Sequence, residues 1–265
     1  MADILAKILA TKALEIAENR ASIPESVLHE RIANQPPPRD FVAAIRAKHA
    51  ANLSAVIAEI KRASPSAGTF RSEGVEFAPA LFAKSYEQHG AACLSVLTDR
   101  DYFQGSTADL IAAKAACNLP ILRKDFIIDA YQILEARAMG ADAILLIAGA
   151  VPLQQLQSLE RVALKLGMSV LVESHNAAQL QEALTLQTPL IGINNRDLTQ
   201  FVTDIQTTLD LKGAIGAERI VVTESGIVSR EIVMKMQEDD IKTYLVGGAF
   251  MQAPDPGKAL ADMFY

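Results

Sequence analysis

The segment SAVIAEIKRASPSAG (residues 54–68) runs from an apolar stretch into two opposite charges and then a loop of small residues. Side chains alternate along a strand, so Ala55, Ile57, Glu59 and Lys61 share one face. That face begins apolar and ends charged. Charged groups are seldom buried unless they are paired or given a task. In α/β enzymes such tasks sit at the C-terminal ends of parallel strands. Taken alone, the Glu59–Lys61 pair reads equally well as an ordinary strand-end salt bridge.

Working outward, similar apolar runs recur at 93–97 (CLSVL), 120–124 (PILRK), 143–147 (AILLI), 169–173 (SVLVE), 189–194 (PLIGIN), 219–224 (RIVVTE) and 243–247 (TYLVG). Helical patterns occupy 76–89, 106–117, 130–139, 152–166, 176–186, 203–212 and 228–237. Strands alternating with helices in this way predict an α/β fold, a (β/α)8 TIM barrel. An open doubly wound sheet is the alternative, but its first strand would normally lead into a Gly-rich turn, and Gly68 alone does not make one. Residues 1–50 carry their own helical pattern, interrupted by Pro36-Pro37-Pro38, which ends helices on either side. They are read as an N-terminal helical extension packed on a barrel of residues 51–265.

Composition agrees with one catalytic domain. The chain has 265 residues, half of them apolar, which suits helices packed on a parallel sheet and argues against disorder. A net charge of −6 without a basic stretch makes nucleic acid an unexpected partner. The longest apolar run, Ala143 to Val151, falls far short of the ~18 residues a membrane span needs. The amphipathic start (Ile4, Leu5, Ile8, Leu9) lacks a signal-peptide core and mixes acidic with basic residues, so neither export nor membrane-surface anchoring is expected. Cytoplasmic residence follows, with Cys93 and Cys117 as buried thiols. His29, His49, His89 and His175 are scattered, and no metal or other cofactor is expected.

Polar residues gather at the predicted strand ends. Strand 1 supplies Glu59, Lys61 and Ser64, strand 3 Lys124, strand 5 Glu173, strand 6 Asn194 and Arg196, and strand 7 Glu224 and Ser225. Leu122 and Lys124 share a face, as do Ser169, Leu171 and Glu173, so both charges continue inward-pointing lines. Each could be a rim salt bridge. Because all strand ends of a barrel meet at one mouth, together they predict an active site. Gly226, Gly247 and Gly248 follow the last two strands, where backbone N–H groups of such barrels hold phosphate. One such glycine would read as a tight βα turn, but glycines after both final strands predict a phosphate site.

These residues fall within motifs that resemble a known family. AEIKRASPSAG (58–68), SVLTDRDYFQGS (95–106), LPILRKDFIID (119–129), VLVESH (170–175), GINNRDL (192–198), TESGI (223–227), LVGGAFM (245–251) and PPPRDF (36–41) are together similar to indole-3-glycerol phosphate synthases. The resemblance spans nearly the whole chain. It implies ring closure, decarboxylation and dehydration of 1-(2-carboxyphenylamino)-1-deoxyribulose 5-phosphate in tryptophan biosynthesis.

By the same resemblance Lys124 is the general acid of ring closure, and Glu173 a general base or electrostatic partner. Lys61 binds the substrate carboxylate or serves as an acid in dehydration, with Glu59 as its partner, and Ser225 joins the catalytic set. Asn194 and Arg196 orient these groups. Phe103, Phe126, Leu198 and Leu245 wall the anthranilate ring, while Ser64, Gly226, Gly247 and Gly248 hold the phosphate. Gly248 departs from the family, which often carries Ser or Glu there, so a side-chain donor is lost and the backbone N–H kept. His175 is expected to lie behind the site.

Related barrels would carry a Cys or an Asp where this chain has Glu59 and Lys61. A non-catalytic phosphate-binding barrel should have lost Lys124 or Glu173. A chain of this length is expected to leave no room for a second, fused barrel. In solution a monomer or a weak homodimer is expected.

Overall fold

The computed structural model describes residues 4–65, 68–70, 77–197 and 202–265. Its strands are β1 (Ala55–Ile60), β2 (Cys93–Leu97), β3 (Ile121–Lys124), β4 (Ala143–Ile147), β5 (Ser169–Ser174), β6 (Leu190–Asn194), β7 (Ile220–Glu224) and β8 (Thr243–Val246). They are parallel, pair in sequential order and close with β8 against β1, giving the expected (β/α)8 barrel. Alternation divides each strand between two cores. From β1, Ala55 and Ile57 point into the barrel with Leu122, Leu171 and Val222, while Val56, Ala58 and Ile60 pack under the surrounding helices.

Before the barrel come α1 (Ile4–Ser22), α2 (Glu25–Ala33) and α3 (Phe41–Ala50). The proline triplet lies in the break between α2 and α3, as its chemistry requires. Asp40 caps α3 by accepting from the Ala43 amide at 2.8 Å. Fully buried Phe41 and Ile45 join the inward-facing cluster near the strand starts, so α3 plugs the base of the barrel. Leu28 of α2 packs with Tyr131 and Leu134 on the outer wall. The opposite, C-terminal end of the barrel meets α1, through Thr11 Oγ1 and the Tyr102 hydroxyl (2.9 Å) and the ammonium of Lys12. The first fifty residues therefore run from the mouth, along the outside, to the base.

Outer helices α4 (Pro79–Gln88), α5 (Thr107–Ala116), α6 (Ala130–Ala138), α7 (Leu153–Lys165), α8 (Ala177–Ala183), α9 (Gln206–Leu211) and α10 (Arg230–Glu238) follow the expected pattern. The predicted 203–212 segment is helical only from Gln206, then tightens into a 3-10 turn at Lys212–Ala214. After β8 come two helices that periodicity had not singled out, α11 (Gly248–Met251) and α12 (Pro256–Phe264). Both are short, but Asp255-Pro256 was a legible start signal: Asp255 accepts from the amides of Gly257 and Lys258. No described helix is long and apolar enough to cross a membrane.

Candidate active site

The strand ends converge on a cavity of about 500 Å³ at the C-terminal mouth. Glu59, Lys61, Ser64, Phe103, Lys124, Phe126, Glu173, Asn194, Arg196, Ser225, Gly226, Leu245, Gly247 and Gly248 all line it. Leu198, expected on the ring wall, lies outside the described residues.

Lys124 is the centre of the charged floor. Its Nζ stands 2.7 Å from Glu173 Oε2 and 2.7 Å from Glu224 Oε2, both carboxylates being almost wholly buried. Burial works against the lysine's charge, but Glu173, Glu224 and Glu59 outweigh it and raise its pKa above the ordinary range. The two glutamates respond oppositely. Burial would raise Glu173, yet Lys124 and His175 pull it well below the usual carboxylate range. Burial also raises Glu224; Lys124 opposes this and neighbouring Glu173 adds to it, leaving the group at about 8. The lysine thus joins two carboxyls that their surroundings drive apart, Glu173 downward and Glu224 upward.

Glu173 has further partners. Asn194 donates Nδ2 to Glu173 Oε1 at 3.1 Å and accepts the Arg196 amide on its own Oδ1 at 3.0 Å. His175 Nε2 lies 3.2 Å from Glu173 Oε1, and its Nδ1 lies 3.1 Å from Gln179 Oε1. Burial lowers the imidazole's pKa, but Glu173 more than compensates, so His175 is held more basic than usual. It sits behind the glutamate, as expected.

The second lysine forms a separate pair, Lys61 Nζ to Glu59 Oε1 at 2.5 Å, and lies 5.0 Å from the centre of the Phe70 ring. Gly247 makes room for that pair, since a Cβ at this position would overlap the Glu59 carboxyl. Gly192 does the same for Glu224, whose Oε1 would lie 2.5 Å from an added Cβ. On the apolar side, the rings of Phe103 and Phe126 lie side by side, tilted by 38° with centroids 6.0 Å apart. Across from them, Ser225 (φ 64°) and Gly226 (φ 79°) make a left-handed turn, and the Ser225 carbonyl is held by Asn195 Nδ2 at 3.0 Å.

Three participants had no assigned role in the sequence. Glu224 had been collected at a strand end; its position after Val222, two residues back on the inward face, was the available signal. Phe70 lies next to a hairpin in which Ala63–Ser64 pairs with Gly68–Thr69, with no periodicity to mark it. Lys12 carried no signal at all, being one of several charges on an amphipathic helix.

A closed parallel barrel with paired lysines and carboxylates at its C-terminal mouth, beside an aromatic wall, is a TIM-barrel enzyme built for acid–base chemistry. Comparison with known proteins narrows the class. The family model for indole-3-glycerol phosphate synthase matches residues 5–263. Proteins named indole-3-glycerol phosphate synthase from Dechloromonas aromatica and Burkholderia lata are each 57% identical, covering 100% of both chains. The chain belongs to the indole-3-glycerol phosphate synthase family, decarboxylating lyases of tryptophan biosynthesis.

Solved structures of lower similarity share the barrel alone. A tryptophan synthase alpha chain from Legionella pneumophila superposes with a TM-score of 0.61 at 12% identity, covering 84% of this chain and 95% of that one. An N-acetylmannosamine-6-phosphate 2-epimerase from Clostridium perfringens gives 0.60 at 14%, covering 80% and 90%.

Proposed function

We propose that the cavity converts 1-(2-carboxyphenylamino)-1-deoxyribulose 5-phosphate to indole-3-glycerol phosphate, carbon dioxide and water, with Lys124 as the acid of ring closure. The observation that carries this assignment is the Lys124 ammonium, 2.7 Å from both Glu173 and Glu224 at the floor of a mouth walled on one side by Phe103 and Phe126. As the ring carbon bonds to the ribulose carbonyl carbon, the carbonyl oxygen gains negative charge and takes a proton from Lys124. Protonated Glu224 is in reach to return a proton to the lysine. Loss of carbon dioxide leaves its bonding electrons in the ring and restores aromaticity. In the dehydration, ionised Glu173 takes the proton lost from the carbon beside the ring nitrogen, or stabilises the positive charge there, and a lysine ammonium supplies the proton with which the hydroxyl leaves as water.

Lys61 pairs with the substrate carboxylate and is a second candidate acid for dehydration, with Glu59 holding it in place. Asn194 and Arg196 orient Glu173. Phe103, Phe126 and Leu245 enclose the anthranilate ring. Ser64, Ser225 and the backbone at Gly226, Gly247 and Gly248 form the phosphate end. Residues 1–50 act as an extension of the barrel of residues 51–265. Buried, unpaired Cys93 and Cys117 are in keeping with a reducing cytoplasm.

The test is turnover of the carboxyphenylamino substrate by the wild type and by Lys124→Ala, followed by indole fluorescence, with circular dichroism to verify folding. The folded variant is expected to lose roughly 10²–10⁴-fold in turnover. Near-normal turnover would remove Lys124 from the acid's role.

A further inference from the structure

Lys12 belongs to the N-terminal helix, not to the barrel, yet it is among the most deeply buried charges described, only 2% exposed. A helix that merely packed on the barrel would place an apolar side chain there, since a buried ammonium is costly unless partners offset its lost hydration. Its partners are Asp99 Oδ2 at 2.7 Å, Glu15 Oε2 at 2.8 Å and Asp125 Oδ1 at 3.1 Å. Asp99 follows β2 and Asp125 follows β3, so one cation bridges two successive loops at the barrel mouth.

What the two aspartates do with their remaining hydrogen-bonding capacity gives the bridge its purpose. Asp99 Oδ1 accepts the amides of Tyr102 at 2.8 Å and Phe103 at 3.0 Å. Asp125 Oδ1 accepts the amide of Phe126 at 2.9 Å. Each loop therefore runs from Lys12 through one carboxylate to the backbone of a ring that lines the cavity. The two rings reached in this way are the neighbouring pair, Phe103 and Phe126. From these contacts we infer that Lys12 is a positioning residue for the substrate's aromatic ring, fixing the wall formed by Phe103 and Phe126 from outside the barrel. This rests on the reading that those two rings enclose the anthranilate moiety.

The two arms differ in how far they depend on Lys12. Asp125 Oδ2 is also held by the Thr98 hydroxyl at 2.6 Å and by Arg123 at 3.1 Å. Among the described residues, Asp99 has no cation other than Lys12 within salt-bridge distance. Loss of the ammonium should release the Phe103 loop more than the Phe126 loop. Two further ties run from α1 to this loop, Thr11 to Tyr102 and Glu15 Oε1 to Arg100 at 3.6 Å; both engage side chains and neither holds the Phe103 backbone.

The experiment uses the full chain with Lys12→Met, and Lys12→Gln as a second variant. Three readouts are compared: steady-state kinetics, calorimetric binding of indole-3-glycerol phosphate against glycerol 3-phosphate, and amide hydrogen exchange. KM for the carboxyphenylamino substrate should rise on the order of tenfold, with a smaller change in kcat. Affinity for indole-3-glycerol phosphate should fall by a similar factor, while that for ring-free glycerol 3-phosphate stays as in the wild type. Exchange protection should fall at Tyr102 and Phe103, less at Phe126, and not in the barrel strands.

An unchanged KM, equal weakening of both ligands, or protection lost throughout the barrel would overturn the inference. So would failure of both variants to fold, which would make Lys12 a determinant of the whole domain. If the wild type binds both ligands but does not turn over the substrate, the proposed reaction fails, and the binding and exchange results still decide the role of Lys12.

Discussion

At the scale of single residues, the opposite shifts of Glu173 and Glu224 make stability depend on pH with a sign that can be worked out. Glu224 has an ordinary pKa near 4.5 when unfolded and about 8 when folded, so between those values the native state holds a proton that the unfolded chain has released. Stability from this group is full below the lower value and is lost as pH rises toward the upper one. His175, raised from 6.5 by Glu173, has the same sign: its contribution is full below that value and is lost as pH rises past it. Glu173, held low, contributes stability above the ordinary carboxylate range that is lost only in acid. Glu224→Gln keeps the shape of the protonated side chain and removes its titration. Urea midpoints measured near pH 5 and near pH 8 should therefore differ less in this variant than in the wild type. An equal difference in both would mean Glu224 is ionised throughout. The presence of these carboxyls at strand ends was readable from the alternation of SVLVE and RIVVTE. Which of them keeps its proton was not, because that depends on burial and on sharing a lysine from a third strand.

At the scale of elements, the close approach of β8 to β1 decides what Gly247 does. The sequence read this glycine as a backbone phosphate contact, and the fold adds a steric reason for it. Its φ of −131° suits any residue, so an alanine would meet no backbone strain. The Cβ would instead collide with Glu59, whose own Cβ is only 2.9 Å from the added atom. Gly247→Ala should displace Glu59 from Lys61 and lower kcat on the order of tenfold or more with little change in KM. A rise in KM alone would assign the position to phosphate. The strands themselves were legible to within one residue, because each carries a short apolar run that ends in polar or turn residues. Of the helices after β8, Gly248–Met251 was not legible, being a single turn held by packing, whereas Pro256–Phe264 was overlooked although its Asp-Pro start was readable.

For the whole molecule, the path of the first fifty residues matters most. They engage the barrel at both ends, with Lys12 at the mouth and Phe41 in the base, so the chain before β1 both completes the core and reaches the site. Phe41→Ala removes a fully buried ring and should cost about 3–5 kcal/mol of stability in urea unfolding. Turnover per folded molecule should hold, because the base is a barrel length away from the chemistry. A loss of turnover without a loss of stability would show that the base is coupled to the mouth. Read alone, the sequence specifies the barrel and the inward direction of its charges, because strand alternation has a period of two and is written locally in every run, and its motifs carry the resemblance to the family. Only the tertiary structure decided that Lys124 serves both Glu173 and Glu224, 49 and 100 residues away, and that Lys12 reaches two loops of the mouth. Those pairings depend on the stagger of strands around a closed barrel and on which buried charges must find partners, and neither is written in any single stretch of chain.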